Sequence, residues 1–335
     1  MKTQSTVVGL LAAFAVFNAS ADVLLAPGES IQEAVNAAEA GERIVLAEGT
    51  YEGDVDFRGK RLTIIGAGSD TIIRGSGGGP VITFANGEGR GSVVDSVTVT
   101  GGGADDGGGI LIVKSSPRVQ RVVIFDNQAK NSGAGIYVRG RGSRPLIRNN
   151  VLAYNFDPRP QATSDAHQIF VDSGARAMIV NNTIVRGNGN GIFLQSSGER
   201  SSVLNNLLVR NGSRLASGAP TGRGLCDLSG SARILNNVFY RNDKAAVLTG
   251  SFVDYARVGD AEGSVGESRF RDNVDGDPRF RRQMRSRVPR VLDVTGLVPR
   301  RNGTGRDAGL SPRRLRDRDG SANDVGHTGG PLGWR

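Results

Sequence analysis

A chain of 335 residues with 38% hydrophobic side chains, 5% aromatics and 49 glycines has enough apolar residues for a core and enough glycine for many tight turns. Its single cysteine, Cys226, excludes an internal disulfide framework, and the lack of a strict glycine triplet excludes collagen. The net charge of +9 is unevenly placed: residues 269–318 carry 15 Arg and no Lys against 6 Asp, while the stretch from 22 to 268 balances out.

The N-terminus reads as an export signal. Lys2 supplies positive charge, Val7 to Phe17 is a short apolar run, and Ala19-Ser20-Ala21 is a small-residue cleavage site, so residues 1–21 are expected to leave and Asp22 to become the first residue. The run is too short to span a bilayer, which predicts a periplasmic or secreted bacterial protein with no transmembrane segment after cleavage. Next, Ser30-Ile-Gln-Glu33 is a capping box, and Ile31, Ala34, Val35 and Ala38 share one face of a short amphipathic helix that Gly41 is placed to end. Strands follow at "RIVLAEGTY" and "RLTIIGAG".

From there one phrase keeps returning. "IRNNVLAYN" from Ile147 comes back as "IVNNTIVRGN", "VLNNLLVRN" and "ILNNVFYRN", with looser forms at Val119 and Val93. The anchors Val93, Val119, Ile147, Ile179, Val203 and Ile234 are 26, 28, 32, 24 and 31 positions apart. A second phrase alternates with it: Gly109-Ile110, Gly135-Ile136, Gln168-Ile169, Gly191-Ile192 and Gly224-Leu225. Short β-branched runs bounded by Gly, Asn or Ser are strands, and repeats of this length with two or three strands each are what a right-handed parallel β-helix requires. The predicted fold is all-β: a single solenoid over residues 22–268, its first raw edges covered by the N-terminal helix, followed by an Arg-rich irregular extension over 269–335. Coils stacked about 4.8 Å apart place equivalent side chains above one another. The asparagines therefore read as a structural ladder, either through Asn149, Asn181, Asn205 and Asn236 or through Asn150, Asn182, Asn206 and Asn237, and Asn also suits left-handed turns.

The opening "SIQEAVNAAEAGERIVLAEGTYEG", the "KRLTIIGAG" run and the N-N-x-[IVL] and G-[GN]-G-I repeats resemble the pectate-lyase-like superfamily of right-handed parallel β-helix proteins, in particular secreted bacterial members without an assigned activity. The likeness covers roughly residues 22 to 250, and "DRDGSANDVG" near the C-terminus is similar to a closing segment of that group. The resemblance implies polysaccharide lyases, polygalacturonase-type hydrolases, uronate epimerases, or members that only bind or adhere. Of the hydrolase motifs, only Asp105-Asp106 has a counterpart, in a glycine-rich stretch that reads as a turn. Where epimerase-like members carry D-P-H, this chain has Asp157-Pro158-Arg159.

Aligning the second phrase puts Ile110, Ile136, Ile169, Ile192 and Leu225 in one inward column. Leu111, Tyr137, Phe170, Phe193 and Cys226 then point outward, followed two positions on by Val113, Arg139, Asp172, Gln195 and Leu228. An aromatic stripe of Tyr137, Phe170 and Phe193 beside Gln195 suits sugar stacking and hydroxyl recognition, and Arg139, His167 and Asp172 are the candidates for lyase or epimerase chemistry. The longest insertion, Phe156 to Ala166, is expected to bring Asp157, Asp165 and His167 to that face. The competing reading has the C-terminal segment covering the stripe and His167 capping a turn. Asp317, Asp319, Ser321 and Asn323 space oxygen ligands for Ca²⁺ but lack the closing glutamate; no other cofactor is indicated. The basic surplus in an exported chain points to an acidic, uronate-type polysaccharide or envelope polymer and away from nucleic acid. Two functions follow: a protein that binds, and as an enzyme modifies, such a polymer, or a non-catalytic surface protein of the envelope. Loading metal onto a periplasmic enzyme, as some superfamily members do, is disfavoured by the scarcity of Cys, His and Met.

Overall fold

The computed structural model describes residues 22–159, 166–195, 201–212, 222–250, 253–265 and 269–278. The expected signal segment, Asp165, the calcium candidates Asp317, Asp319, Ser321 and Asn323, and the extension beyond residue 278 lie outside the described residues.

Strands of two to five residues repeat in the same order and stack into three parallel sheets, giving a right-handed parallel β-helix. The first sheet has ten strands, from Val23–Leu25 to Phe270–Arg271. The second has nine, from Gly49–Glu52 to Val274–Asp275. The third also has nine, from Val55–Asp56 to Asp254–Tyr255, and only its last pair is antiparallel. The ladders continue past residue 268, so the final coil takes in Phe270–Arg271 and Val274–Asp275, the first residues of the stretch expected as an irregular extension.

Pairing register explains the sequence period. In the three-residue strands of the second sheet the middle side chain points inward, and Ile124, Leu152, Ile184 and Leu208 are direct neighbours on successive coils, all fully buried. Because the column is continuous, each coil buries its inward apolar atoms against the coil before and after it.

The corners are held by amides. Nδ2 of Asn150 donates to Oδ1 of Asn182, Asn182 to Asn206, Asn206 to Asn237, and Asn237 to Asn273, each at 3.0 Å. The same oxygens also accept the backbone N–H of the preceding asparagine, as in Asn182 N to Asn206 at 2.9 Å. The first asparagine of each pair serves differently: Asn149, Asn181, Asn205 and Asn236 take the left-handed backbone at φ 55°, 57°, 57° and 58°. The asparagine that closes the phrase forms a second column at the next corner, Asn127 to Asn155 (2.9 Å) to the Gln168 side chain (2.7 Å), and Asn211 to Asn242 (3.1 Å). The recurring glycine before the third-sheet strand belongs to that corner, since a Cβ on Gly135 would lie 2.4 Å from the Gln168 carbonyl oxygen.

Helix α1 (Ile31–Ala37) starts at Ser30, whose hydroxyl accepts from the Glu33 N–H at 3.2 Å, and buries Ile31 and Val35. It ends at Ala38 in an extended conformation, ahead of Gly41, because Lys60 reaches up from the next coil and donates to the carbonyls of Val35, Asn36 and Ala38 at 2.8–2.9 Å. Gln32 ties the helix to the first strand of the third sheet by accepting from Asp56 N at 2.7 Å. A second helix, α2 (Val258–Val265), lies near the last coil; it lacks a repeat phrase and the sequence reading did not include it.

Candidate functional site

The outer face of the third sheet gathers most of the polar and aromatic residues singled out from the sequence. Ile110, Ile136, Ile169, Ile192 and Leu225 pair in register and are fully buried, so the residues one position on, Leu111, Tyr137, Phe170, Phe193 and Cys226, form a row on the opposite side. Three aromatic rings stack along it: Tyr137 on Phe170 with centroids 5.1 Å apart at 17°, and Phe170 on Phe193 at 5.0 Å and 27°. The row is not an open platform. Tyr137 and Phe170 keep only 6% and 4% of their surface accessible, so the rings are packing and only the half-buried Phe193 retains an open side.

Next to Tyr137 the chain leaves the regular coil. Gly103–Asp106 pairs with Gln128–Ser132 as a two-stranded ribbon with a register shift, which rises between the second and third sheets. Asp105 and Asp106 therefore lie on a strand and not in a turn, because the same ribbon position recurs one coil later. The chain returns from the ribbon closely against the aromatic row: at Gly133, φ 62°, a Cβ would stand 2.8 Å from that of Tyr137.

Beyond the rings is a row of polar side chains. Arg139 pairs in register with Asp172, and Gln195 follows, its N–H donating to the Val171 carbonyl at 3.0 Å. Arg139 and Gln195 are exposed and Asp172 is half-buried, with the Ser173 hydroxyl donating to its Oδ2 at 3.1 Å. The Arg139 guanidinium sits 5.9 Å above the Tyr137 ring. Burial first, then the charges of Asp172 and Asp106, push the Tyr137 hydroxyl above its ordinary pKa, while Arg139 pulls it back. Asp106, overlooked as a turn residue, is part of this cluster: burial raises its carboxyl, Arg139 lowers it and Asp105 raises it again. Its sequence signal was the period, since Gly103 and Gln128 stand 25 positions apart, close to the coil repeat.

His167 is placed over the rings and not toward solvent. It is 3% exposed, with centroids 4.4 Å from Phe193 and 5.4 Å from Phe170. Its Nδ1 accepts the Asn190 N–H at 3.2 Å. Burial, reinforced by Arg223, lowers its pKa to about 3, so the ring is neutral. Asp157 is also withdrawn: its buried carboxylate accepts from the Arg159 backbone N–H at 2.9 Å and from its guanidinium at 2.6–3.2 Å. The structure thus brings Tyr137, Arg139, Asp172, Gln195 and Asp106 together around an open edge and leaves His167 and Asp157 sealed.

Soft metal donors are sparse among the described residues. Cys226 is buried beside Phe193, and burial pushes its thiol up to about 12. Met178 is exposed on the first sheet, away from both Cys226 and His167. No group of three or more His, Cys, Asp and Glu side chains among the described residues is arranged to hold a metal ion.

Comparison with known proteins follows the fold. The crystal structure of pectate lyase Pel9A superposes with a TM-score of 0.51 at 18% identity, covering 68% of this chain and 67% of that one. An alginate lyase from Paenibacillus sp. str. FPU-7 aligns at 20% identity with a TM-score of 0.47, covering 68% of this chain and 80% of that one. At such identities the likeness is one of fold. No curated protein matches the sequence. A protein family does: the one described as periplasmic copper-binding protein (NosD) matches residues 44–256. With well over half of its length inside that match, and with a parallel β-helix carrying it, the chain belongs to the NosD family.

Proposed function

We propose that this is an exported, periplasmic member of its family that binds an acidic, uronate-type polysaccharide along the outer edge of the third sheet, at Arg139, Asp172, Gln195 and Phe193, without cleaving it. The observation that carries this reading is the split at that face. An exposed guanidinium stands over Tyr137 at an open edge, while the only imidazole among the described residues is buried and neutral. Arg139 offers a planar fork to a sugar carboxylate, and Gln195 and Asp172 offer partners to hydroxyls. A base for proton abstraction must reach solvent-borne substrate, and His167 does not. The periplasmic setting agrees with the family description and with the absence, among the described residues, of a helix long and apolar enough to cross a membrane.

Copper does not fit the described residues. The one thiol is held protonated by burial, the imidazole Nδ1 is taken by Asn190, and the methionine lies on a different sheet.

A second reading, elimination or epimerisation of the uronate, has one observation in its favour: the Asp106 carboxyl, raised by burial, sits within the field of Arg139 and beside Tyr137. One experiment separates the two. Mature protein from Asp22 onward is incubated with pectate, alginate and glycosaminoglycans, and each mixture is followed by proton NMR and by retention on the immobilised polymer. Retention with unchanged spectra is the expected result. New unsaturated, reducing-end or altered uronate signals that vanish with Asp106→Asn establish the enzyme, and no retention on any polymer overturns both.

A further inference from the structure

The outer face of the second sheet is built as an interior. Its middle row, Ile124, Leu152, Ile184, Leu208 and Phe239, points into the main core. The two flanking rows point away from that core. One runs Val123, Val151, Thr183, Leu207, Val238 and Val274, and the other Phe125, Ala153, Val185, Val209 and Tyr240. These side chains form a separate apolar cluster, and Val151, Ala153, Val185, Leu207 and Val238 are 0% exposed. Side chains on the solvent side of a solenoid reach that value only beneath another layer.

We propose that the layer is the chain's own C-terminal segment, with Val288–Val298 lying along this face back toward the strand Val123–Phe125. Three observations select it. The described chain ends at the face: Val274–Asp275 is the last strand of this sheet, and the Tyr240 hydroxyl donates to Asp277 at 2.9 Å, one residue before Pro278. The segment that follows has matching composition, "VPRVLDVTGLV" between two arginine blocks. Its length also matches. The face spans five strand steps, about 24 Å, and eleven extended residues reach roughly 36 Å.

Charge supports the same direction. On that path Arg279, Arg281 and Arg282 would follow directly on Asp275 and Asp277, and Arg300 and Arg301 would meet the far end, where Asp126 follows Phe125. Asp293, the only acid within the apolar stretch, would on that path fall along the turn row of Arg186, Arg210 and Arg241. A second copy of the chain is the wrong shape for this seat. Two rows of side chains offer a strip about 24 Å by 7 Å, far below the roughly 800 Å² per partner of a stable interface. The segment's seat is thus the second sheet.

The test uses the full mature chain with Val185→Cys, its thiol read by maleimide labelling and peptide mass so that Cys226 is scored separately. In the unaltered tail the thiol is protected at every protein concentration. Adding Leu292→Asp and Val294→Asp, which leave the coils intact, should raise its labelling rate at least about tenfold. A rate unchanged by those tail substitutions overturns the proposal. So does protection that fades on dilution, which would assign the cover to a second copy.

Discussion

The buried imidazole of His167 makes the protein acid-sensitive in a way that one substitution should remove. Nδ1 accepts the Asn190 N–H at 3.2 Å, and the ring lies against Phe193 and Phe170. Protonating Nδ1 would set one N–H against another and place a charge among aromatic rings near Arg223. In the unfolded chain the ring titrates near 6.5. Its folded value is about 3, so below 6.5 the unfolded state holds more protons than the native state. The stability from the neutral ring is thus complete above pH 6.5 and declines as the pH falls toward 3. With these two values, the loss between pH 6 and pH 4 is on the order of 2–3 kcal/mol. His167→Asn retains an acceptor for the Asn190 N–H and cannot titrate. Denaturant unfolding of both proteins at pH 7, 6, 5 and 4 is the assay. The variant starts less stable, by about 1–2 kcal/mol for the lost ring contacts. The gap then closes or reverses at pH 4, because carboxylate effects are common to both. Parallel stability curves from pH 7 to 4 would refute the argument.

Three further outcomes are expected. Asn206→Ala removes the acceptor of two bonds from Asn182 and the donor to Asn237, leaving buried groups unpaired, and should cost about 3 kcal/mol in urea unfolding. Gly135→Ala places a methyl 2.4 Å from the Gln168 carbonyl oxygen, inside a stack that cannot widen at one coil, and should cost about 3 kcal/mol or more or abolish folding, as read by circular dichroism melts. Arg139→Ala touches an exposed side chain and should leave the melting temperature unchanged while lowering retention on uronate polymer about tenfold at low salt, with the difference fading as salt rises.

The solenoid was legible in the sequence because stacking forces equivalent positions to repeat. The Ile110 column, the paired asparagines and the glycines before Ile110, Ile136 and Ile192 all sit where a neighbour one coil away dictates the residue type. What lies outside that column was not legible to the same degree. Lys60 ends α1 from the following coil, a contact 22 to 25 residues distant with no periodic signature. Asp105 and Asp106 read as a glycine turn, since nothing local distinguishes a turn from a ribbon that pairs only with the next coil. The aromatic row was placed in the correct register, but the choice between an open and a covered stripe stayed open, because alternation says which side of a strand a ring points to and not what lies over it. The same limit hid the apolar strip on the second sheet, where Val151, Leu207 and Val238 occupy positions that the repeat alone marks as outward. In a solenoid the inner column is decided by the neighbouring coil and therefore repeats. The outer faces are decided by whatever packs on each of them. Arg139, at the open edge of the third sheet, and Val185, at the centre of the covered second sheet, stand on outer faces, yet one keeps its side chain accessible and the other has none of its surface exposed. That difference directs the search for ligand to the edge at Arg139 and the search for the chain's own tail to the strip around Val185.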